Sequence, residues 1–468
     1  MNIIEKLFEY PYLLNIFNQK LTNRETLNLT EIHKTFYDRR NKLRFYGFRK
    51  CNPQNCDKWY YDQLKNIIIE EFFKFPEEVS GLIFDHYFNE KIKNRIPNSV
   101  THLELGWIFN QPLKKNDIPN RVTRLMFGNK FDQKIEGFIP NFVTHLNLGW
   151  NFNQPLEKND IPNSVTHLKF GGEFDQNIEG LIPSSVTHLT LGKSKKLYIP
   201  NHVTHLNFLG EFNEPINKND IPNSVIRLTF GYYFNQKIKQ CIPNSVIRLK
   251  FGDDFNQLIE EGDIPNSVKY LNFGDDFNQL VKYIPKSITH IKFGRNFYQP
   301  LLNCIPDNVT HLTFYNNIPD FHINIFPKSL THLFLHVYCN QSIKNCIPNS
   351  VTHLILSCYF NQPIENSIPN SVTHLQFGKS FDQKIKNNIP DSVSHLTFRS
   401  SIKDFKKENL PKRLTHLSLL QDFNLPIKDC LPDSLVYLRL GYYYTQNIKE
   451  QNISPHIKLK IDTPYEDL

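Results

Sequence analysis

The chain has 468 residues, 40% of them hydrophobic, with 54 Lys+Arg against 46 Asp+Glu and a net charge of +8. That length exceeds one ordinary compact domain. The modest positive balance points to an acidic partner without demanding nucleic acid, and none is expected. No stretch approaches the ~20 apolar residues that span a bilayer, and Glu5, Lys6 and Glu9 interrupt the apolar N-terminus, so neither a membrane segment nor a secretory leader is expected. The 8 cysteines form no CxxC pair. Cys51-x4-Cys56 has no matching second pair, and Cys241, Cys304, Cys346 and Cys430 are scattered through the chain, each just before an Ile-Pro or Leu-Pro step. They read as reduced, small hydrophobes in a protein of the reducing cytoplasm.

In chain order, residues 1–75 come first and do not repeat. Leu13-Leu14-Asn15-Ile16-Phe17 carries helical spacing. Leu21, Leu27, Leu29, Ile32 and Phe36 continue it, with Thr22 or Asn23 as the N-cap before Arg24-Glu25. A small helical domain is predicted. The run Ile16–Leu29, followed by His33-Lys34-Thr35-Phe36, resembles an F-box. The opening Leu-Pro of that family is poorly kept, because Pro11 lies too close to Ile16, and Glu25 stands where Asp is usual. The resemblance implies docking on the Skp-type adaptor of a cullin–RING ubiquitin ligase through Leu13, Ile16, Phe17, Leu21 and Leu27. The other reading is a helical cap over the open end of a repeat array, which every such array needs. One segment could serve both roles. Lys34, Arg39, Arg40, Lys42, Arg44, Arg49 and Lys50 read as a solvated helix face or as a contact for an acidic partner.

From residue 76 the chain repeats Ile-Pro-Asn-Ser-Val-Thr-His-Leu-x-Phe-Gly-x-x-Phe-Asn-Gln-x-Ile. Its 18 units open at Pro76, Pro97, Pro119, Pro140, Pro162, Pro183, Pro200, Pro222, Pro243, Pro265, Pro285, Pro306, Pro327, Pro348, Pro369, Pro390, Pro411 and Pro432, with a looser copy at Pro455. A period of about 21 residues predicts a solenoid. Val100, Leu103 and Leu105 alternate with His102 and Glu104, so a short strand faces its leucines inward and its polar residues outward. Gly106 ends the strand, Phe109 and Leu113 turn back into the coil, and Pro119 opens the next turn outside the ladder. One coil cannot bury its own apolar face, so like strands stack in parallel ~4.8 Å apart. Phe fills the far side in 13 of the 18 units, and Asn or Asp follows it in all but one, where Tyr298 stands. A stacked aromatic column and a ladder of side-chain hydrogen bonds to turn backbone are predicted. The unit at Pro183 is 17 residues long, and those at Pro306 and Pro390 lose Phe-Asn, so kinks or loose loops are expected there.

These units resemble FNIP repeats, relatives of the leucine-rich repeat. Val100, Leu103 and Leu105 stand as in LxxLxL, and Phe-Asn-x-x-Ile with Ile-Pro carries the family's name. The resemblance covers residues 76 to about 455. It implies a mainly β, leucine-rich-repeat-like curved solenoid of about 18 coils with one parallel sheet on its concave face, and residues 456–468 as C-terminal cap and tail. Such proteins are abundant in social amoebae and in giant viruses that infect amoebae. A viral source would place this chain in the host cytoplasm.

No nucleophile–base pair, phosphate loop or HExxH motif is present, so catalysis is not expected. Twelve histidines share one repeat position: His102, His145, His167, His188, His205, His290, His311, His332, His353, His374, His395 and His416. A linear ladder lacks the clustered geometry of a metal centre, so no metal or cofactor is expected. The ring is read as a surface residue that stacks on its neighbours and bonds the adjacent Thr column (Thr101, Thr144, Thr166). Three consecutive units break the pattern with Arg227, Arg248 and Tyr270, and replace the Thr before it with Ile226, Ile247 and Lys269. Lys250 lies on the same face as Arg248. Trp107, Trp150, Tyr232 and Tyr442 follow strands where Asn129, Asp253, Asp275 and Arg295 stand in other units. The run is either a recognition hot spot, continued by His290, His311, His332 and His353, or neutral drift. The reading is protein–protein interaction: an F-box-type adaptor recruiting a target through the solenoid, monomeric outside its complex, or a plain repeat scaffold with no ligase link.

Overall fold

The computed structural model describes residues 79–463 apart from 194–196, 320, 322–324, 337 and 403–404, together with the strands at 43–45 and 67–69. Leu13, Ile16, Phe17, Leu21 and Leu27 lie outside the described residues. Where residues 1–75 are described, they are strands rather than the expected helices. Strand β1 (Leu43–Phe45) pairs antiparallel with β2 (Ile67–Ile69), and β2 pairs in parallel with β3 (Gly81–Phe84). Ile67-Ile68-Ile69 is a β-branched run, and branching at Cβ favours the pleated strand over the helix.

The chain divides into two compact units, residues 1–212 and 213–468. In the first, β3 is followed by β4 (His102–Glu104), β5 (Arg124–Met126), β6 (His145–Asn147), β7 (His167–Lys169), β8 (His188–Leu191) and β9 (His205–Phe208). Each pairs in parallel with the next, and the column residues stay in register, for example His145 opposite His167. In the second unit the strands are β10 (Arg227–Thr229), β11 (Arg248–Lys250), β12 (Tyr270–Asn272), β13 (His290–Lys292), β14 (His311–Phe314), β15 (His332–Leu335), β16 (His353–Ile355), β17 (His374–Gln376), β18 (His395–Phe398), β19 (His416–Leu419), β20 (Tyr437–Leu440) and β21 (Lys458–Ile461). They too pair in parallel, each with its successor. The fold is a mainly β, leucine-rich-repeat-like parallel solenoid. Among the described residues the helices are two short 3-10 turns, Lys407–Asn409 and Ile448–Gln451.

Each coil is built as the alternation requires. In the coil opening at Pro97, Val100, Leu103, Leu105, Phe109, Leu113 and Ile118 are all buried, while His102 and Glu104 face out. The far-side phenylalanines stack in near-parallel planes: Phe88 on Phe109 at 6.1 Å in the first unit, and Phe255 on Phe277 at 6.0 Å in the second. A second column packs across them, as Phe127 on Phe131 at 4.0 Å and Phe251 on Phe255 at 4.0 Å. The Asn/Asp ladder is present. The amide of Asn110 donates to Asn89 Oδ1 at 2.8 Å, and that of Asp132 to Asn110 Oδ1 at 3.0 Å. In the second unit Asn256 and Asn278 repeat the bond at 3.0 and 2.9 Å. Tyr298, the exception in sequence, still donates its amide to Asn278 Oδ1 at 2.8 Å, because the donor is backbone.

The irregular units keep their strands. Across the 17-residue unit, His188 stays opposite His205 and Leu191 opposite Phe208, so the missing residues come out of the return loop. In the units at Pro306 and Pro390, Ile318 and Ile402 fill the place of the phenylalanine and are buried.

Candidate functional site

The outward face of the second unit is a ladder. The imidazoles of His290, His311, His332, His353, His374, His395 and His416 stack in near-parallel planes with centroids 4.0–4.2 Å apart. Parallel pairing at one register brings them together, since strand spacing and ring-stacking distance are nearly equal. Each ring is fixed from its side. His311 Nδ1 lies 2.9 Å from Thr310 Oγ1, and the Thr310 hydroxyl donates to the carbonyl of Thr289, one coil back, at 3.2 Å. The same pair of contacts recurs at Thr331–His332, Thr352–His353 and Thr415–His416. A hydroxyl has one proton, and a carbonyl can only accept. With the hydroxyl proton on the carbonyl, the threonine accepts from Nδ1–H, and the neutral ring then leaves Nε2 on the opposite edge as an acceptor.

His353 is held below its ordinary pKa by burial, and His311, His332, His374 and His395 are lowered as well. In these four burial is the larger cause and the neighbouring imidazoles the smaller, and His332 and His374 are lowered to about 4. His290 shifts the same way, from burial first and then from Arg248 and His332.

At the head of this ladder lies a shallow groove of about 440 Å³ across β10–β15. Its lining brings together Arg227, Arg248, Lys250, Tyr270, His290 and His311 from the sequence reading. Lys269, exposed just before β12, is not part of it, and His332 and His353 continue the ladder beyond. The Arg248 guanidinium lies 3.8 Å from the Tyr270 ring centroid, and Tyr270 packs on His290 at 4.4 Å, so cation, phenol and imidazoles form one stack. The groove adds residues that sequence reasoning missed, chiefly Lys292 and Phe334. Both stand two places after a column residue, as Lys250 does, and that shared offset was the available signal. Lys292 Nζ sits 4.9 Å from the Tyr315 ring, which stacks on His336 at 4.9 Å. Tyr315 and His336 occupy the position that is glycine in most units.

Past the C-terminal ends of β11 and β12, the turns carry Asp253, Asp254, Asp275 and Asp276. The Asp254 carboxyl is raised by burial and then by Asp276 and Asp253, and the Tyr232 phenol is raised chiefly by Asp254. Asp275 pairs with Arg295 at 3.2 Å. Among the described residues, no carboxylate forms an ion pair with Arg227, Arg248, Lys250 or Lys292. No group of three or more His, Cys, Asp or Glu is placed to hold a metal ion among those residues, and no helix there is long and apolar enough to cross a membrane.

The described cysteines carry free thiols, and burial pushes those of Cys241 and Cys339 up to about 12, where they pack as hydrophobes. Cys51 and Cys56 lie outside the described residues.

Comparison with known proteins follows the same lines. The FNIP Repeat family matches residues 72–107, 109–151, 152–194, 195–233, 212–254, 234–276, 255–283, 277–317, 315–359, 360–401 and 403–443. Among solved structures, CroV588, described as a novel circular LRR protein, is 42% identical over 82% of this chain with a TM-score of 0.62. The match covers 60% of that protein, so this chain spans less than two thirds of its length. YopM from Yersinia enterocolitica WA-314 is 15% identical over 82% of this chain and 91% of its own, with a TM-score of 0.40. A leucine-rich repeat protein from Bacteroides ovatus is 12% identical over 82% of this chain and 84% of its own, with a TM-score of 0.14. Likenesses that low carry no argument. No curated protein matches the chain.

Proposed function

This chain belongs to the FNIP-repeat family, and from that premise we propose that it is a non-enzymatic protein-binding scaffold whose recognition surface is the outward face of β10–β15. The single observation that carries the reading is the groove, where a run of non-consensus residues (Arg227, Arg248, Tyr270) meets unpaired lysines and aromatic rings on one repeat face. Arg and Tyr are the residue types that dominate binding energy when they cluster. Elsewhere among the 18 units the column departs from His only singly, at Gly81, Arg124 and Tyr437. The test is replacement of Arg227, Arg248 and Tyr270 by His, the consensus residue, beside a control in which His353, His374 and His395 become Gln. Partners crosslinked by the parent are expected to be lost from the first variant and kept by the second. Equal loss would leave the groove with no special role.

The finer reading, an adaptor that recruits its partner to a cullin–RING ubiquitin ligase, is supported by the Ile16–Phe36 pattern alone. Full-length protein is expected to retain a Skp-type adaptor in a pull-down, and Ile16→Asp with Phe17→Asp to abolish it. No retention by the parent sinks this reading and leaves the scaffold standing.

A further inference from the structure

We propose that the groove across β10–β15 takes an extended acidic peptide segment of the partner, laid perpendicular to the strands with its carboxylates on Arg227, Arg248, Lys250 and Lys292 and an apolar residue beyond them toward Phe334. This rests on the scaffold reading and deepens it.

The cations are unspent. Arg227, Arg248 and Lys250 are exposed, with burial confined to the leucine between their columns, and none of the four has a carboxylate partner among the described residues. The first two form an in-register pair, Arg227 opposite Arg248, continued by Tyr270 and His290. Lys250 faces Asn272, which faces Lys292, in the parallel row two residues along the strands. Like charges set this close repel one another, so the arrangement costs free energy until an anion fills it.

Spacing sets the ligand's form. Arg227 to Lys292 spans three strand steps, ~14 Å at ~4.8 Å each, which an extended chain covers in about four residues. Two further steps reach Phe334, so about seven residues fill the groove. Tyr270 braces Arg248 from below, and Tyr315 sits beside the Lys292 ammonium, so both cations are pre-positioned and lose little rotamer freedom on binding. Phe334 is half-buried beside His332, at ring centroids 6.1 Å apart, and offers an aromatic surface rather than a charge.

The flank argues for a peptide rather than a nucleic acid. Asp253, Asp254, Asp275 and Asp276 lie just past the strand ends, and a uniform polyphosphate leaving the groove on that side would meet them. A peptide can place lysine or backbone N–H there. Farther along the ladder the neutral imidazoles present acceptors, not cations, so the positive strip stops after Lys292.

The experiment uses full-length protein at about 150 mM salt, where long-range attraction is screened, and three fluorescein-labelled probes: Gly-Ser-Glu-Glu-Glu-Glu-Gly-Phe-Gly-Ser, the same peptide with four Lys, and a ten-nucleotide single-stranded DNA. Anisotropy is expected to give saturable binding of the Glu peptide alone. Arg248→Glu with Lys250→Glu weakens it by about tenfold or more, while Lys428→Glu, outside the groove, leaves it unchanged. Lys250→Gln with Lys292→Gln keeps the test open if the charge reversal fails to fold, and its loss is expected to be smaller but real. Absence of Glu-peptide binding, equal binding by the groove variants, or equal or tighter binding of the DNA overturns the proposal. A partner that depends on Arg227, Arg248 and Tyr270 yet is not displaced by the Glu peptide also overturns it, and leaves the scaffold reading intact.

Discussion

His311, His332, His353 and His374 are each held at their side by a threonine hydroxyl and between two other imidazoles, and these surroundings set their titration. Stacking takes water from the ring faces, and a protonated neighbour 4.0–4.2 Å away opposes a second charge. In the structure burial is the larger cause and repulsion the smaller. The folded values lie below the reference of 6.5, so between that reference and the folded values the unfolded chain binds more protons. The histidine contribution is therefore complete above pH ~6.5 and is lost as pH falls through the range down to about 4, the value for His332 and His374. Carboxylates join below pH ~5, so the clean window is pH ~5 to ~6.5. Denaturation midpoints are expected to fall across that window in the parent, and to fall less when His311, His353 and His395 become Gln. A flat profile would mean that the rings titrate as free imidazoles. Nitrogen chemical shifts at pH ~8 test the tautomer directly, with Nδ1 expected to carry the proton.

At the scale of the coil, two backbone positions decide whether one turn can follow another. The residue three places before the opening proline is left-handed in unit after unit: Asn94 at φ 56°, Gly137 at 67°, Asn303 at 60°, Asn366 at 52°. Asn and Gly tolerate that region, and most other residues do not. Gln240 holds it at φ 53° without either advantage. Gln240→Asn is expected to stabilise by about 0.5 kcal/mol and Asn366→Val to destabilise by about 1–2 kcal/mol in chemical denaturation. Four of the longer units place Asp directly after this residue. Asp117, Asp160 and Asp263 are buried there, and each accepts a backbone N–H three residues back at 2.7–2.8 Å, closing the turn around one extra residue. The second position is the glycine that ends the strand. A Cβ on Gly252 would overlap the carbonyl oxygen of Gly231 in the preceding coil. Gly252→Ala forces successive turns apart, with an expected loss of about 2–3 kcal/mol. An unchanged midpoint would mean that the coil relaxes at no cost. Tyr315 and His336 take this glycine's place beside the groove, where the chain trades the close turn for aromatic surface.

Across each unit, stability is a sum of neighbour contacts. Phe255 touches Phe277 at 6.0 Å and Phe251 at 4.0 Å. Phe255→Ala is expected to cost about 3–5 kcal/mol. Combined with Phe381→Ala, six strands away, the loss is expected to add to within ~0.5 kcal/mol, whereas Phe255→Ala with Phe277→Ala departs from the sum because the cavities merge. Additivity for the adjacent pair would mean that the column is a row of independent plugs. The proposed binding belongs to the same scale, because the groove draws its residues from coils whose contributors lie about 20 residues apart in the chain.

The sequence alone determined the coil. A period of about 21 residues, the alternation of Val100, Leu103 and Leu105 with polar residues, and Asn or Asp after Phe at most returns leave one way to bury the apolar side, so parallel stacking, both aromatic and Asn ladders and the His column were legible residue by residue. The Arg227–Arg248–Tyr270 departure was legible for the same reason, since a repeat supplies its own baseline. What only the tertiary structure decided is which residues of different coils meet. Lys292 and Phe334 are unremarkable in their own units and become part of a groove only when register carries their row on from Lys250. The tautomer was hidden too, because it depends on a hydroxyl bonding a carbonyl one coil back. At 67–69 the β-branched run already favours a strand, and the structure adds only which strand it pairs with, Gly81–Phe84. Within a coil the local pattern dictates the answer, while between coils it is distance, and distance is a property of the stack.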